Sequence, residues 1–149
     1  MNALEQVFSQ NEEVQSVLTG INENLREQLV AGLSGSSRAM LISSFYKQTK
    51  QSVMVVTYNL LQAQKLYEDI TNFVSEEDVF LYPANELIAA ELSVASPELK
   101  AQRIEALNHW AKDKQGIVVV PMGGFRKQLP PKSLWHAYQK QFTVGEEID

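Results

Sequence analysis

The segment from Gly32 to Ala39 can be aligned with the phosphate-loop pattern G-x-x-x-x-G-K-[ST]. In that pattern, backbone N–H groups at a helix N-terminus surround a phosphate, a lysine reaches the outer phosphates, and a hydroxyl binds magnesium. Gly32 occupies the position of the first glycine. The candidate site therefore consists of Gly32, Gly35, Ser36, Ser37, Arg38 and Ala39.

Three of the four fixed positions of the pattern are changed. Ser37 adds a side chain where a second glycine would let the backbone approach phosphate. Arg38 keeps the positive charge but not the compact ammonium of lysine, and Ala39 has no hydroxyl for magnesium. The segment can equally be a flexible turn into a serine-capped helix. Both interpretations predict no nucleotide hydrolysis, and both leave open a bound sulfate or phosphate at the helix N-terminus.

No other group of residues predicts catalysis or metal binding. The apolar run at residues 118–120 continues into Pro121-Met122-Gly123, without the carboxylate that would hold magnesium. Residues 76–78 are acidic and are interpreted as a solvated turn, whereas His109 and His136 are far apart and are interpreted as structural. The sequence therefore predicts no catalytic residue, no metal site and no cofactor.

Two further groups have a composition that occurs in binding sites. Tyr58, Asn59 and Gln62 follow a predicted strand, at the edge where open parallel sheets bind ligands. We favour a structural interpretation, in which Asn59 caps a helix and Tyr58 packs. The second group is basic and aromatic and consists of Phe125, Arg126, Lys127 and Trp135. Such a composition occurs in many protein interfaces. The alternative interpretation is a loop anchored by one tryptophan.

The elements that would position these residues alternate between strands and helices. Short β-branched or apolar runs predict strands at 28–31, 52–57, 78–82 and 116–121. Helical spacing and capping residues predict helices at 37–48, 60–73 and 96–111, and a short helix at 85–92. Leu99, Ile104, Leu107 and Trp110 are expected to face the core. Residues 1–26 predict two amphipathic helices separated at Gly20.

This order predicts an α/β fold with a mostly parallel sheet and helices on both faces, because parallel strands need crossover connections. The layout is that of a P-loop NTPase or helicase domain with a degenerate phosphate loop. Alternating apolar residues from Trp135 to Val144 predict a further strand. We therefore expect one domain over residues 1–127 and the start of a second, truncated domain over residues 128–149.

Composition excludes several classes of protein. The 149 residues carry 13 Lys or Arg and 18 Asp or Glu, a formal net charge of −5 without a basic stripe, which disfavours direct DNA binding. There are no cysteines, so disulfides and thiolate metal sites are excluded. No leader peptide or membrane-spanning apolar run is visible, and we expect a cytoplasmic location.

Several segments, in this order, are similar to the N-terminal region of the bacterial transcription-repair coupling factor (Mfd) family. The similarity covers nearly the whole chain. The segments are GLSGSSR at 32–38, VVTYNLLQAQKLY at 55–67, LYPANEL at 81–87, SPELKAQRI at 96–104 and IVVVP at 117–121.

The resemblance implies a helicase-like module, shared with the excision-repair protein UvrB, in which the phosphate loop is degenerate. It also implies that the full-length protein recognises stalled RNA polymerase, displaces it from DNA with a separate ATP-driven translocase, and recruits UvrA through its UvrB-like part. The arginines that contact UvrA in the family are expected downstream of Asp149, so no UvrA-binding residue is assigned here.

Three hypotheses follow. The first is a non-catalytic interaction module of a transcription-coupled repair protein, with UvrA and the rest of the coupling factor as its partners. The second is a divergent NTPase or helicase half-domain that keeps weak nucleotide binding through Arg38. The third is a stand-alone α/β scaffold. Nucleotide binding distinguishes the second from the other two.

Overall fold

A computed structural model of the chain describes residues 3–84, 96–140 and 145. In chain order, the elements are α1 (Ala3–Ser9), α2 (Glu12–Asn22), α3 (Ser37–Thr49), β1 (Val53–Thr57), α4 (Leu60–Thr71), a 3₁₀ turn (Glu76–Asp78), β2 (Val79–Leu81), α5 (Pro97–Ala111), β3 (Ile117–Pro121), α6 (Met122–Phe125) and α7 (Lys132–Ala137). Within these ranges, every helix is too short or too polar to cross a membrane.

The three strands form one parallel sheet in the order β1-β3-β2. Val53 and Val79 both lie opposite Ile117, so the strands are in register at their N-terminal ends. All five residues of β3 are buried, as the uniformly apolar run at 117–121 predicts for a central strand. The predicted α/β class with a parallel sheet is confirmed.

The connections place helices on both faces of the sheet, as predicted. From β1 to β2 the chain moves across the sheet in one direction, and from β2 to β3 it moves back. Because both crossovers are right-handed in such sheets, the two connecting helices lie on opposite faces. Accordingly, α3 and α4 pack on one face and α5 packs on the other.

Each face has its own hydrophobic core. On the α3–α4 face, side chains from all three strands pack against the two helices, and the fully buried members include Ala39, Ala63 and Ile70. On the α5 face, the buried cluster includes no residue of β1. It consists of Phe80 of β2, Tyr82 just after that strand, Val118 and Val120 of β3, and Ala106 of α5. The two cores therefore cover different numbers of strands.

β1 is consequently covered on one face only. Met54 and Val56 point to the α5 face and remain 49% and 41% exposed. The predicted cover of the sheet by helices on both faces therefore does not extend to β1 in the described part of the chain. The expected core position of Ile104 is also wrong, since its side chain is 51% exposed, whereas Leu107 and Trp110 do pack against the α5-face core.

The N-terminal helices pack on α3 and are separated at Asn11, not at Gly20 as predicted. The Asn11 side chain accepts hydrogen bonds from the backbone N–H groups of Glu13 and Val14, at 2.9 and 3.3 Å, and so caps α2. Gly20 lies inside α2, and the side-chain amide of Gln28 packs against it, 2.5 Å from where a Cβ would lie.

Residues 28–31 do not form the predicted strand. This stretch is irregular and unpaired, and the side chain of Leu29 is 95% exposed. Its neighbour Gln28 donates a side-chain hydrogen bond of 3.1 Å to the carbonyl oxygen of Val17, so the stretch is attached to α2 and not to the sheet. An unpaired strand has no ladder hydrogen bonds to stabilise it.

The C-terminal part differs from the sequence prediction as well. Residues 132–137 are helical, although a strand was predicted to begin at Trp135. Pro131 precedes the first helical turn, a position that suits proline, and apolar spacing alone did not distinguish this short helix from a strand. Residues 141–144 of the predicted strand and the helix predicted at 85–92 lie outside the described residues.

The start of α4 has the cap that the sequence predicts. The Asn59 side chain accepts a hydrogen bond of 2.8 Å from the backbone N–H of Gln62. The hydroxyl of Thr57 donates to the carbonyl oxygen of Asn59 at 3.0 Å, which holds the strand end against the cap.

Replacing Asn59 by alanine should lower the free energy of unfolding by about 1 kcal/mol, because a backbone N–H at the start of α4 loses its acceptor. Urea denaturation measures the change. Asn59→Asp is the matched control, since aspartate keeps the acceptor and should stay close to wild type. Equal destabilisation by both variants would contradict the capping role.

His109 is a buried titratable side chain near the end of α5. Its ring stacks on Phe80 with the ring centroids 4.0 Å apart. Its Nε2 has no hydrogen-bond partner among the described residues and faces Gly116, where a Cβ would lie 2.6 Å away. Burial lowers the pKa of His109, and a hydrogen bond with the backbone of Gln115 opposes this effect.

The stability of the protein should therefore decrease as the pH falls below about 6.5, the ordinary pKa of histidine. The unfolded chain takes up a proton there, whereas the folded chain does so only at lower pH, so the free energy of unfolding falls between the two values. Urea denaturation from about pH 7.5 to about pH 5 tests this. The decrease should be smaller in His109→Phe than in wild type.

The control for this measurement is Lys65→Gln, which keeps both histidines and changes an exposed residue of α4. Its stability profile should follow that of the wild type. Identical pH profiles for wild type and His109→Phe would show that His109 does not contribute.

Candidate functional site

The candidate phosphate loop forms an exposed turn before α3. Gly32 and Gly35 adopt positive φ angles of 82° and 51°, a conformation that favours glycine. The Ser37 hydroxyl donates a hydrogen bond of 2.6 Å to the carbonyl oxygen of Ser34, which closes the turn. Ser36 precedes the helix without making a side-chain cap hydrogen bond. The serine cap proposed as an alternative is therefore absent at Ser36.

The two residues that would contact nucleotide point in different directions. Arg38 is exposed to solvent, whereas Ala39 is fully buried in the core between α3, α4 and the sheet. A hydroxyl at position 39 would therefore enter an apolar core and not the loop. The loop is also not preceded by a sheet strand, which is the structural context of a phosphate loop.

Among the described residues, the C-terminal ends of β1 and β3 provide no carboxylate for a magnesium ion. β1 is followed by Tyr58, which is exposed, and by Asn59, which caps α4. β3 leads directly into the short helix α6, whose sequence is MGGF. No cluster of three or more His, Asp or Glu side chains suited to a metal occurs among residues 3–84 and 96–140. The predicted cap at Asn59 is confirmed, whereas the prediction that Tyr58 packs is wrong, since its side chain is 82% exposed.

The basic and aromatic group lines a groove on the α5 face of the sheet. Three of its four members, Phe125, Lys127 and Trp135, line the groove, whereas Arg126 does not. The groove has a volume of about 510 Å³. We call it the β1 groove, and define it by the apolar residues Met54, Leu107, Trp110, Phe125, Leu129 and Trp135.

One wall of the β1 groove is α7, which is fixed to α5 by side-chain hydrogen bonds. The indole Nε1 of Trp135 donates to Asn108 Oδ1 at 3.0 Å, and His136 Nε2 lies 3.2 Å from the carbonyl oxygen of Ala111. An ion pair between Lys132, at the start of α7, and Asp113, just after the end of α5, is a further contact between the two helices. The conformation of this wall therefore depends on side chains that are distant in sequence.

The floor of the β1 groove includes the buried ring of Tyr82. The ring of Trp110 lies at 5.6 Å from it, and the guanidinium of Arg103 lies 5.0 Å from its centroid. The Tyr82 hydroxyl is buried and has no hydrogen-bond partner in the described part of the chain. A Cβ on Gly124 would lie 3.2 Å from the Tyr82 ring, so glycine at that position lets α6 approach closely.

Sequence reasoning did not identify Met54 as part of this surface. The run from Val53 to Val56 is uniformly apolar, and such a run does not show which face of the strand lacks a helix. Leu107 and Trp110 were expected only to face the core.

Comparison with known proteins identifies the family. The transcription-repair-coupling factor of Bacillus subtilis (strain 168) is 39% identical to the chain over 149 residues, which are 100% of this chain and 13% of that relative. Those of Staphylococcus aureus strains USA300 and MRSA252 are 38% and 39% identical over 121 residues, which are 81% of this chain and 10% of each relative.

The chain belongs to the transcription-repair coupling factor family. No protein-family model matches it. Membership confirms the resemblance found from the sequence segments, and the alignment with the Bacillus subtilis protein includes both the loop at 32–39 and the β1 groove. Because the chain spans 13% of that coupling factor, it corresponds to a small part of the family's polypeptide.

Proposed function

We propose that the chain is a non-catalytic module of a transcription-repair coupling factor, within the UvrB-like part that recruits UvrA during transcription-coupled nucleotide excision repair. The family supports a role in coupling transcription to repair. In this proposal, the motor that acts on RNA polymerase and DNA belongs to other parts of the polypeptide. The residues that contact UvrA are expected downstream of Asp149.

The observation that carries the non-catalytic role is the burial of Ala39. A phosphate loop needs a hydroxyl on magnesium at this position, whereas here the position is occupied by a methyl group that contributes to the core. Hydrolysis also needs an acidic residue near the metal, and β3 is followed by MGGF. Packing and composition thus both disfavour nucleotide chemistry.

The chain should give no binding heat with magnesium and ATP in titration calorimetry. The triple variant Ser37→Gly/Arg38→Lys/Ala39→Ser should not bind either, because the introduced hydroxyl would enter the core and no carboxylate follows β3. Circular dichroism checks that the variant is folded. Micromolar ATP binding by the wild type would instead support the divergent NTPase or helicase hypothesis.

Recruitment of UvrA should require sequence beyond the 149 residues. Biolayer interferometry with immobilised UvrA can compare this chain with a longer chain that continues through the second UvrB-like domain. The longer chain should bind, and the 149-residue chain should bind weakly or not at all. Equal binding would place the UvrA contact within this chain, and no binding by either would contradict the recruiting role.

A further inference from the structure

Helices α1 and α2 pack on α3 but belong to neither hydrophobic core. Among the described residues, neither core cluster includes a side chain of α1 or α2. The connection from α2 to α3, residues 23–36, contains no helix or strand and is exposed except at Leu33, which is half-buried. Its first part is attached to α2, because the backbone N–H of Leu25 and the side chain of Gln28 donate to carbonyl oxygens of that helix. We call residues 3–28 the N-terminal unit.

The contact between the N-terminal unit and α3 depends on an ion pair. Lys47 Nζ donates a hydrogen bond of 2.6 Å to Glu5 Oε1, and the side chain of Glu5 is only 9% exposed. Met40, Ser44 and Lys47 follow one another at helical spacing and so share one face of α3. Met40 and Ser44 are buried on this face, beneath the unit that Lys47 contacts. The contact therefore buries polar groups beside apolar ones, whereas the two cores are apolar.

Ser43 adds a buried polar atom next to this face. Its side chain is 1% exposed, and its Oγ has no hydrogen-bond partner among the described residues. It lies between the face that carries Lys47 and the face on which Ala39 and Tyr46 meet the core. Burial of an unpaired hydroxyl disfavours the closed arrangement, and departure of the N-terminal unit would let water reach it.

We propose that the N-terminal unit opens away from α3 while the α/β core stays folded, and that the ion pair of Glu5 with Lys47 keeps it closed. Partial openings of this kind need less free energy than global unfolding and involve segments with few buried apolar contacts. α1 and α2 have 7 and 11 residues. Isolated helices shorter than about 12–15 residues are marginal in water, so both helices melt on opening. Opening uncovers Met40 and Ser44 and leaves residues 23–36 attached only at α3.

The test is thiol labelling of the 149-residue chain, which has no cysteine of its own. Ser44→Cys places a thiol beneath the N-terminal unit, and Ala63→Cys places one in the fully buried core between α4 and the sheet. The labelling rate of each variant in native buffer is divided by its rate in concentrated urea, which gives the protection of each position. Circular dichroism checks that both variants are folded.

Position 44 should be protected at least about tenfold less than position 63, because it reacts through an opening that leaves the core closed. Hydrogen exchange in the unmodified chain, which needs no variant, should give the same order, with amides of α2 exchanging faster than those of β3. Equal protection at the two positions, or equal exchange in the two elements, would overturn the proposal, because the unit would then open only with the whole fold.

The role of the ion pair is tested by Glu5→Gln in the Ser44→Cys chain. Labelling should become about tenfold faster, because the buried contact loses its charged partner for Lys47. Glu27→Gln is the matched control, since the same change at an exposed residue of the connection should leave the rate unchanged. Lys47→Gln should act like Glu5→Gln, and the double variant should open no further than the more affected single variant. Additive effects, or equal rates for Glu5→Gln and Glu27→Gln, would overturn this role.

Ser43→Ala should change the labelling rate in the opposite direction. The closed arrangement no longer buries an unpaired hydroxyl in this variant, so labelling at position 44 should become several-fold slower. An unchanged or faster rate would contradict the place of Ser43 in the contact.

Discussion

The burial of β3 is the constraint on which the rest of the structure depends. Its five residues are apolar on both faces, and each buried Val or Ile side chain contributes roughly 1.5–3 kcal/mol relative to an exposed one. Such a strand needs a neighbour on each side and a layer of helices on each face. The order β1-β3-β2 supplies the neighbours, and the opposite directions of the two crossovers supply the layers.

The same packing determines what the loop before α3 can do. α3 contributes Ala39 and Tyr46 to the core, and the first of these lies only two residues into the helix. A position that could present a magnesium ligand is therefore used to pack the helix on the sheet. Arg38, the next residue towards the loop, stays in solvent. The loop keeps the glycine conformations of a tight turn while the position needed for metal binding belongs to the core.

The uneven cover of the sheet has a geometric cause. A helix is about 10 Å wide, and neighbouring strands are about 4.8 Å apart, so one helix covers about two strands. Two helices, α3 and α4, reach all three strands on one face, whereas α5 alone covers β2 and β3 on the other. Met54 and Val56 of β1 are left exposed, and α6 and α7 form the groove beside them. The open face of β1 thus follows from the number of helices on each face of the sheet.

The sequence by itself determined the elements that depend on local signals. The buried run at 117–121, the Asn59 cap and the start of α5 at Pro97 each depend on residues close together in the chain, and the α/β class followed from the alternation of strands and helices. The order of the segments also pointed correctly to the family. The changes at Ser37, Arg38 and Ala39 could likewise be identified without coordinates.

Only the tertiary structure decided which residues of these elements are covered. Residues 28–31 have strand-like composition but no neighbour to pair with, and Met54 has the composition of a buried strand but no helix above it. The apolar spacing from Trp135 predicts a strand, whereas Trp135 lies in helix α7 and its indole donates a hydrogen bond to Asn108 of α5. Pairing and cover depend on residues far apart in sequence, and local patterns do not contain that information.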